Sequence, residues 1–147
     1  MTPQVFLDIL TGNAAGVAGK GNGKVLKSNA NSKIFINFSD HGAPGLLAFP
    51  SGTLYADQFN NALKTMNTKK MYKEMVIYIE ACESGSMFEN ILPDNINIYA
   101  LSASNSHESS WGTYCSPNDK VKGVSLRTCL GDLFSVNWME NSDLVGP

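Results

Sequence analysis

Cationic side chains are scarce and scattered in this sequence: 147 residues hold eleven Lys and Arg, and Arg127 is the only arginine. Set against thirteen Asp and Glu, they leave a net charge of −2. No basic stripe is present to neutralise a run of phosphates, which argues against nucleic acid as a partner. Long apolar runs are missing too. The longest, Glu74–Ala81 and Asn95–Ala100, fall far short of the roughly 20 residues needed to span a bilayer, so no membrane insertion is expected. The first residues lack the basic-then-apolar pattern of a secretory leader, and nothing within the chain addresses it to a compartment. Histidine occurs twice and cysteine three times. Their spacing matches no zinc ribbon, thioredoxin-type motif or tetrahedral site, so neither a metal nor another cofactor is expected.

What is present suffices for one packed domain over residues 1–147. The chain is 43% hydrophobic and 16% charged, with no shift in composition that would mark a linker. An odd cysteine count means that one thiol stands apart. Cys115 and Cys129 flank a loop rich in Ser, Pro, Asp and Gly, so a disulfide closing it is plausible in an oxidising compartment, leaving Cys82 free. Three reduced, inert thiols are the alternative, because sequence does not set the distance between them.

Pro3–Leu10 reads as a short helix, with Pro in the first turn and Val5, Phe6, Ile9 and Leu10 on one face. Asp57–Met66 reads as a second, with Phe59, Leu63 and Met66 at helical spacing and Asp57 near its cap. Three compact apolar runs, Ile34–Phe38, Met75–Ile79 and Ile96–Leu101, read as buried strands. The first breaks into Ser39-Asp40-His41-Gly42, the second into Glu80-Ala81-Cys82-Glu83-Ser84-Gly85-Ser86 and the third into Ser102-Ala103-Ser104-Asn105. Strands separated by helical or long connections predict a mainly parallel α/β sheet, whose ligand crevice lies beyond the carboxyl ends of the strands. His41, Cys82 and the segment 102–110 would gather there.

That gathering suits one chemistry in particular. A thiol protease needs a sulfur nucleophile, a proton acceptor and donors aimed at a developing oxyanion. Cys82 can attack and His41 can take the proton. The backbone N–H groups of Gly42 and Cys82, both in sharp turns after strands, are candidate oxyanion donors. Taken singly each residue has a blander reading, since cysteine is often simply buried and a lone histidine is more often structural. Three other signals carry less. Gly19-Lys20-Gly21-Asn22-Gly23-Lys24 lacks the hydroxyl of a phosphate loop and precedes a strand, so it reads as a flexible turn. Asn37-Phe38-Ser39 is a formal glycosylation acceptor inside a strand expected to be buried, and no glycan is expected on it. His107 reads as an exposed loop residue.

Ser39-Asp40-His41-Gly42 and Glu80-Ala81-Cys82-Glu83-Ser84-Gly85-Ser86 resemble the two catalytic segments of the legumain (asparaginyl endopeptidase) family of cysteine endopeptidases. Further matching segments run from Gly23-Lys24-Val25-Leu26 through Leu92–Asn97 and Glu108-Ser109-Ser110-Trp111-Gly112-Thr113-Tyr114-Cys115 to Cys129-Leu130-Gly131-Asp132 and Ser135–Glu140. Essentially the whole chain is covered, and Trp-Gly-Thr-Tyr-Cys is closer to the plant vacuolar processing enzymes than to animal legumains.

The resemblance implies a caspase-like three-layer α/β sandwich with its active site at the strand C-termini. His41 would be the base, Cys82 the nucleophile, Gly42 with Cys82 the oxyanion hole, and Cys115–Cys129 a disulfide. Cleavage would follow Asn and, more slowly, Asp. Glu80, Ser109, Ser110 and Asp132 would bind substrate, in a pocket whose cationic partner is an arginine of an Arg-His-Gln-Ala-Asp-like segment that this sequence does not contain. Each also has a plainer reading: Asp132 as a turn residue, Ser110 as a solvated hydroxyl, Glu80 as a satisfied acid. Asp40 resembles an aspartate that can cyclise to a succinimide.

The implied partners are peptides and proteins with Asn at the cleavage site and the parent protein's own C-terminal prodomain. The implied location is a vacuole or lysosome. On this pattern the chain would begin within the catalytic domain, after a first strand, and stop near the domain's end. Two other functions stay open: a non-catalytic or binding-only version of the fold, and an enzyme like the glycolipid-anchor transamidase. Peptide ligation is a further outcome of the same acyl-enzyme, since an amine can replace water.

Overall fold

The computed structural model describes residues 1–145. Helix α1 (Pro3–Leu10) has the predicted bounds. Thr2 caps it by accepting the Val5 N–H on its hydroxyl at 3.3 Å, and Pro3 sits at the helix start, where its missing N–H costs nothing. Turns then lead to strand β1 (Lys33–Ser39). Three short antiparallel strands follow, β2 (Gly42–Ala43), β3 (Leu46–Phe49) and β4 (Gly52–Tyr55), and then helix α2 (Ala56–Thr68) and strand β5 (Glu74–Glu80). A 3-10 turn (Ser84–Met87) precedes β6 (Ile98–Ser102). The last part holds β7 (Gly112–Thr113), β8 (Lys120–Val121), β9 (Val124–Ser125), β10 (Gly131–Asp132) and helix α3 (Leu133–Val145).

The central sheet is parallel, in the order β1-β5-β6. Successive side chains of a strand point to opposite faces, and both faces are covered. On one side Ile36, Met75, Ile77 and Ile79 join Leu10 of α1 and Phe59, Leu63 and Met66 of α2 in a single buried core. On the other side Phe35 and Tyr78 meet Phe134 and Trp138 of α3 edge to face, with Tyr78–Trp138 ring centres 5.4 Å apart. The result is the parallel α/β sheet that the strand pattern predicts, in the three-layer sandwich that the resemblance implies.

Helix α2 is capped by Tyr55, whose N–H donates to Gln58 Oε1 at 3.2 Å, and Asp57 lies near that cap, in the first turn. Two details differ from the sequence reading. The third strand starts at Ile98, because Asn97 adopts a left-handed φ of 53° and breaks the extended run. Strand β1 has a single neighbour among the described residues, and Asn37 is exposed instead of buried. Its face is only partly covered by α3.

Ile77 is wholly buried at the centre of the sheet. Ile77→Ala should lower the unfolding free energy by about 3 kcal/mol. Lys64→Ala on the exposed face of α2 should stay within about 0.5 kcal/mol, both read from urea denaturation.

Candidate active site

The parallel pairing of β1 with β5 aligns their ends, with Ser39 opposite Glu80. His41 and Cys82 each lie two residues beyond that pair, at the same height on neighbouring strands. The Asp40 N–H donates to the Glu80 carbonyl at 3.2 Å, carrying the ladder one bond past the strands. The two polar turns then meet backbone to backbone. A Cβ placed on Gly42 would lie 2.3 Å from the Cys82 carbonyl oxygen and 3.0 Å from the Ala81 Cβ, so only glycine permits this approach.

The turn carrying His41 is braced by the β2–β3 hairpin, whose Ala48 N–H donates to the His41 carbonyl at 2.9 Å. The Cys82 turn is braced by its own residues. Ser86 Oγ donates to the Glu83 carbonyl at 2.5 Å and accepts the Gly45 N–H at 2.7 Å, joining it to the same hairpin. Cys82 is the free thiol among the described residues; it is partly buried, and its Sγ lies 3.6 Å from Ser110 Oγ.

A cavity of about 560 Å³ opens at this point, lined by Ser39, Asp40, His41, Glu80, Cys82, Ser110 and Asp132. Three carboxylates and no cation face it. Glu80 is 2% exposed. Strand alternation aims it at the α3 layer, where its Oε2 accepts the Ser135 N–H at 2.7 Å in the first turn of α3, a favourable place for an acid. Its Oε1 is buried without a partner. A larger groove of about 870 Å³ lies at the other end of the sheet, under Phe35, Tyr99 and Trp138, and is lined by neither cysteine nor histidine.

A model of the peptidase C13 family matches residues 1–146. The chain belongs to the peptidase C13 family. It is 56% identical over 142 residues to a vacuolar-processing enzyme delta-isozyme of Arabidopsis thaliana, covering 96% of this chain and 30% of that protein. It is 51% identical over 144 residues to a legumain of Mus musculus (98% and 31%) and 49% identical over 144 residues to a legumain of Canavalia ensiformis (97% and 30%). The chain thus spans less than a third of the length of these relatives. Its parallel sheet and flanking helices accord with the caspase-like architecture of peptidase C13.

In this C13 chain the wall opposite Cys82 is built by the C-terminal segment. Strand β10 pairs with β7, setting Asp132 opposite Gly112, and the Leu133 N–H donates to the Trp111 carbonyl at 2.8 Å. A disulfide between Cys115 and Cys129 closes the intervening loop, with Cα atoms 4.0 Å apart. Gly112 leaves room for it, since a Cβ there would lie 3.0 Å from Cys129 Sγ and crowd it. Arg127 sits in that loop, its N–H donating to Asp119, away from the pocket. The Tyr114 hydroxyl donates to Glu140 and ties the wall to α3.

The site residues read from sequence mostly converge: Asp40, His41, Glu80, Cys82, Ser110 and Asp132 share one cavity, with Gly42 packed against Cys82. Ser109 is exposed and is not among the lining residues; His107 is also exposed. The described residues contain no cluster suited to a metal. Ser135, Ser84 and Ser104, which order Glu80 and the Cys82 turn, escape a reading from sequence. Serines announce no partner, and the bonds in question, Ser135 N–H to Glu80 and Ser104 to Ala81 and Ser84, join segments remote in sequence.

Gly42→Ala should lower stability by about 1–3 kcal/mol in urea denaturation, because the collision is with backbone. The hydrogen bond to the Glu140 carboxylate raises the Tyr114 phenol above its usual range. Its stabilisation is therefore complete below the ordinary tyrosine value of about 10 and is lost as pH rises through the folded value. Glu140→Gln should bring that titration down, read by ultraviolet absorbance with Tyr114→Phe identifying the signal.

Proposed function

We propose that the chain is the catalytic core of a cysteine endopeptidase that hydrolyses peptide bonds after Asn. The observation that carries this reading is the register-matched pair His41 and Cys82 over a cavity floored by a buried carboxylate with one unpartnered oxygen. His41 takes the thiol proton, and the sulfur adds to the scissile carbonyl. The N–H groups of Gly42 and Cys82 receive the oxyanion. Collapse expels the amine, protonated by His41, and leaves a thioester. Water then attacks the thioester with the same histidine as base, the carbon–sulfur bond breaks to release the acid, and the sulfur regains its proton from His41; an amine in place of water yields ligation.

The pocket supports Asn as the residue before the cleaved bond. An asparagine amide offers two N–H donors, and Glu80 Oε1 is an acceptor without one; Asp132 adds a second carboxylate and Ser110 a hydroxyl that can turn to the amide oxygen. An aspartate carboxylate lacks these N–H donors, which accounts for slower cleavage after Asp. The relatives' name, vacuolar-processing enzyme, supports a vacuole or lysosome as the working compartment. Peptides and proteins would be the substrates, with the C-terminal prodomain of a longer parent as an inhibitory partner. The Asp40 carboxylate accepts its own neighbour's N–H, His41 N to Oδ1 at 2.7 Å, which brings together the two groups that a succinimide ring would join.

The test is turnover of an Ala-Ala-Asn fluorogenic peptide at acidic pH by the full-length protein. Cys82→Ser and His41→Ala should each reduce kcat by about 10³-fold or more, and replacing Asn by Gln in the peptide should abolish cleavage. Undiminished turnover in Cys82→Ser would sink the mechanism. A folded wild type that binds but never cleaves the peptide would favour the binding-only reading.

A further inference from the structure

The Cys82 turn is gripped by a side chain that does not line the cavity. Ser104, 4% exposed, follows β6. Its Oγ donates to the Ala81 carbonyl at 3.0 Å, accepts the Ser84 N–H at 3.1 Å and lies 3.2 Å from Ser84 Oγ. A serine hydroxyl has one hydrogen and two lone pairs. With that hydrogen committed to a carbonyl, the Ser84 hydroxyl must donate in the third contact, so the capacity of Ser104 Oγ is fully used. The Ser104 carbonyl also accepts the Gly85 N–H at 3.0 Å, and a Cβ on Gly85 would lie 2.9 Å from the Asn105 carbonyl carbon. One hydroxyl thus holds the residue before Cys82 and the second residue after it. Between them Glu83 is left-handed, with φ 49° and ψ 24°, a conformation that a residue with a side chain keeps only where its surroundings over-determine it.

We propose that Ser104 is a positioning residue for the Cys82 thiol, acting through the Ala81 carbonyl and the Ser84 amide without touching substrate. The proposal rests on the reading of Cys82 as the nucleophile. Without the hydroxyl, a carbonyl, an amide and the Ser84 hydroxyl lose their partner in a place closed to water. They can be satisfied again only if the turn moves, and that movement carries Cys82 Sγ and the Cys82 N–H with it. Ser110 and Asp132 hang on other elements and Glu80 is held by the β5 ladder and the Ser135 N–H, so binding is spared while the chemical step slows; misplacement of reacting groups on the ångström scale costs up to about a hundredfold.

Ser104→Ala, Ser84→Ala and Cys82→Ser in the full-length protein test this. Ser104→Ala should lower kcat at least tenfold with KM within twofold, and should slow alkylation of Cys82 by iodoacetamide by a similar factor. Ser84→Ala leaves both Ser104 backbone bonds in place and should lower each rate less than threefold. The proposal is overturned if Ser104→Ala loses less than threefold in both rates, if the two serine variants lose equally, or if only KM changes. Should Ser104→Ala not fold, Ser104→Cys keeps the shape and weakens both bonds: kcat down at least threefold at constant KM supports the role, and a smaller change overturns it. Turnover surviving in Cys82→Ser would overturn the nucleophile itself, whereas an inactive Cys82→Ser beside a fully active Ser104→Ala would overturn only the positioning role.

Discussion

Parallel pairing of β1 with β5 over seven residues aligns two chain segments that are remote in sequence. Because parallel strands end on the same side of a sheet, two polar turns are brought to one edge, and the residues they carry become neighbours at the spacing of adjacent strands, roughly 4.8 Å. The meeting of His41 and Cys82 is a consequence of that alignment and of the close approach that follows it. The Cys82 carbonyl occupies the space a side chain would need at Gly42, which makes the two turns one packed unit, and the β2–β3 hairpin and Ser86 then fasten that unit from both sides.

The acid at the end of β5 shows how a costly group is kept. A buried carboxylate is tolerated when donors meet it, and Glu80 obtains one from the first turn of α3. That helix contributes no fully buried side chain, yet its start is where the cavity floor is made. The remaining oxygen is buried without a partner, in a residue that lines the cavity. The larger aromatic groove offers more apolar area, but without a thiol, base or buried acid it has no comparable chemistry; cavity size and site are separate properties.

Much of this was legible from residue order. Helix α1 has caps and a Pro that mark its start, and the β1 and β5 runs are continuous and β-branched, so their ends locate His41 and Cys82 within a residue. The β2–β4 meander was not legible, because two- to four-residue strands among Gly and Pro carry no period. Helix α3 was missed as well: Leu133, Phe134, Val136, Trp138 and Met139 spread around it instead of forming one stripe. The solvent face of Asn37 and the grip of Ser104 on the Cys82 turn belong to tertiary packing, and no local pattern encodes them.

The disulfide lies outside the cavity yet joins the two flanks of the loop between Ser110 and Asp132. Cys82 and His41 hang on the central sheet, which that bond does not touch. Ser110 and Asp132 are therefore anchored apart from His41, Cys82 and Glu80. In reducing surroundings that wall would loosen first, and the thiol, histidine and buried acid would remain in place with one side of the cavity undefined.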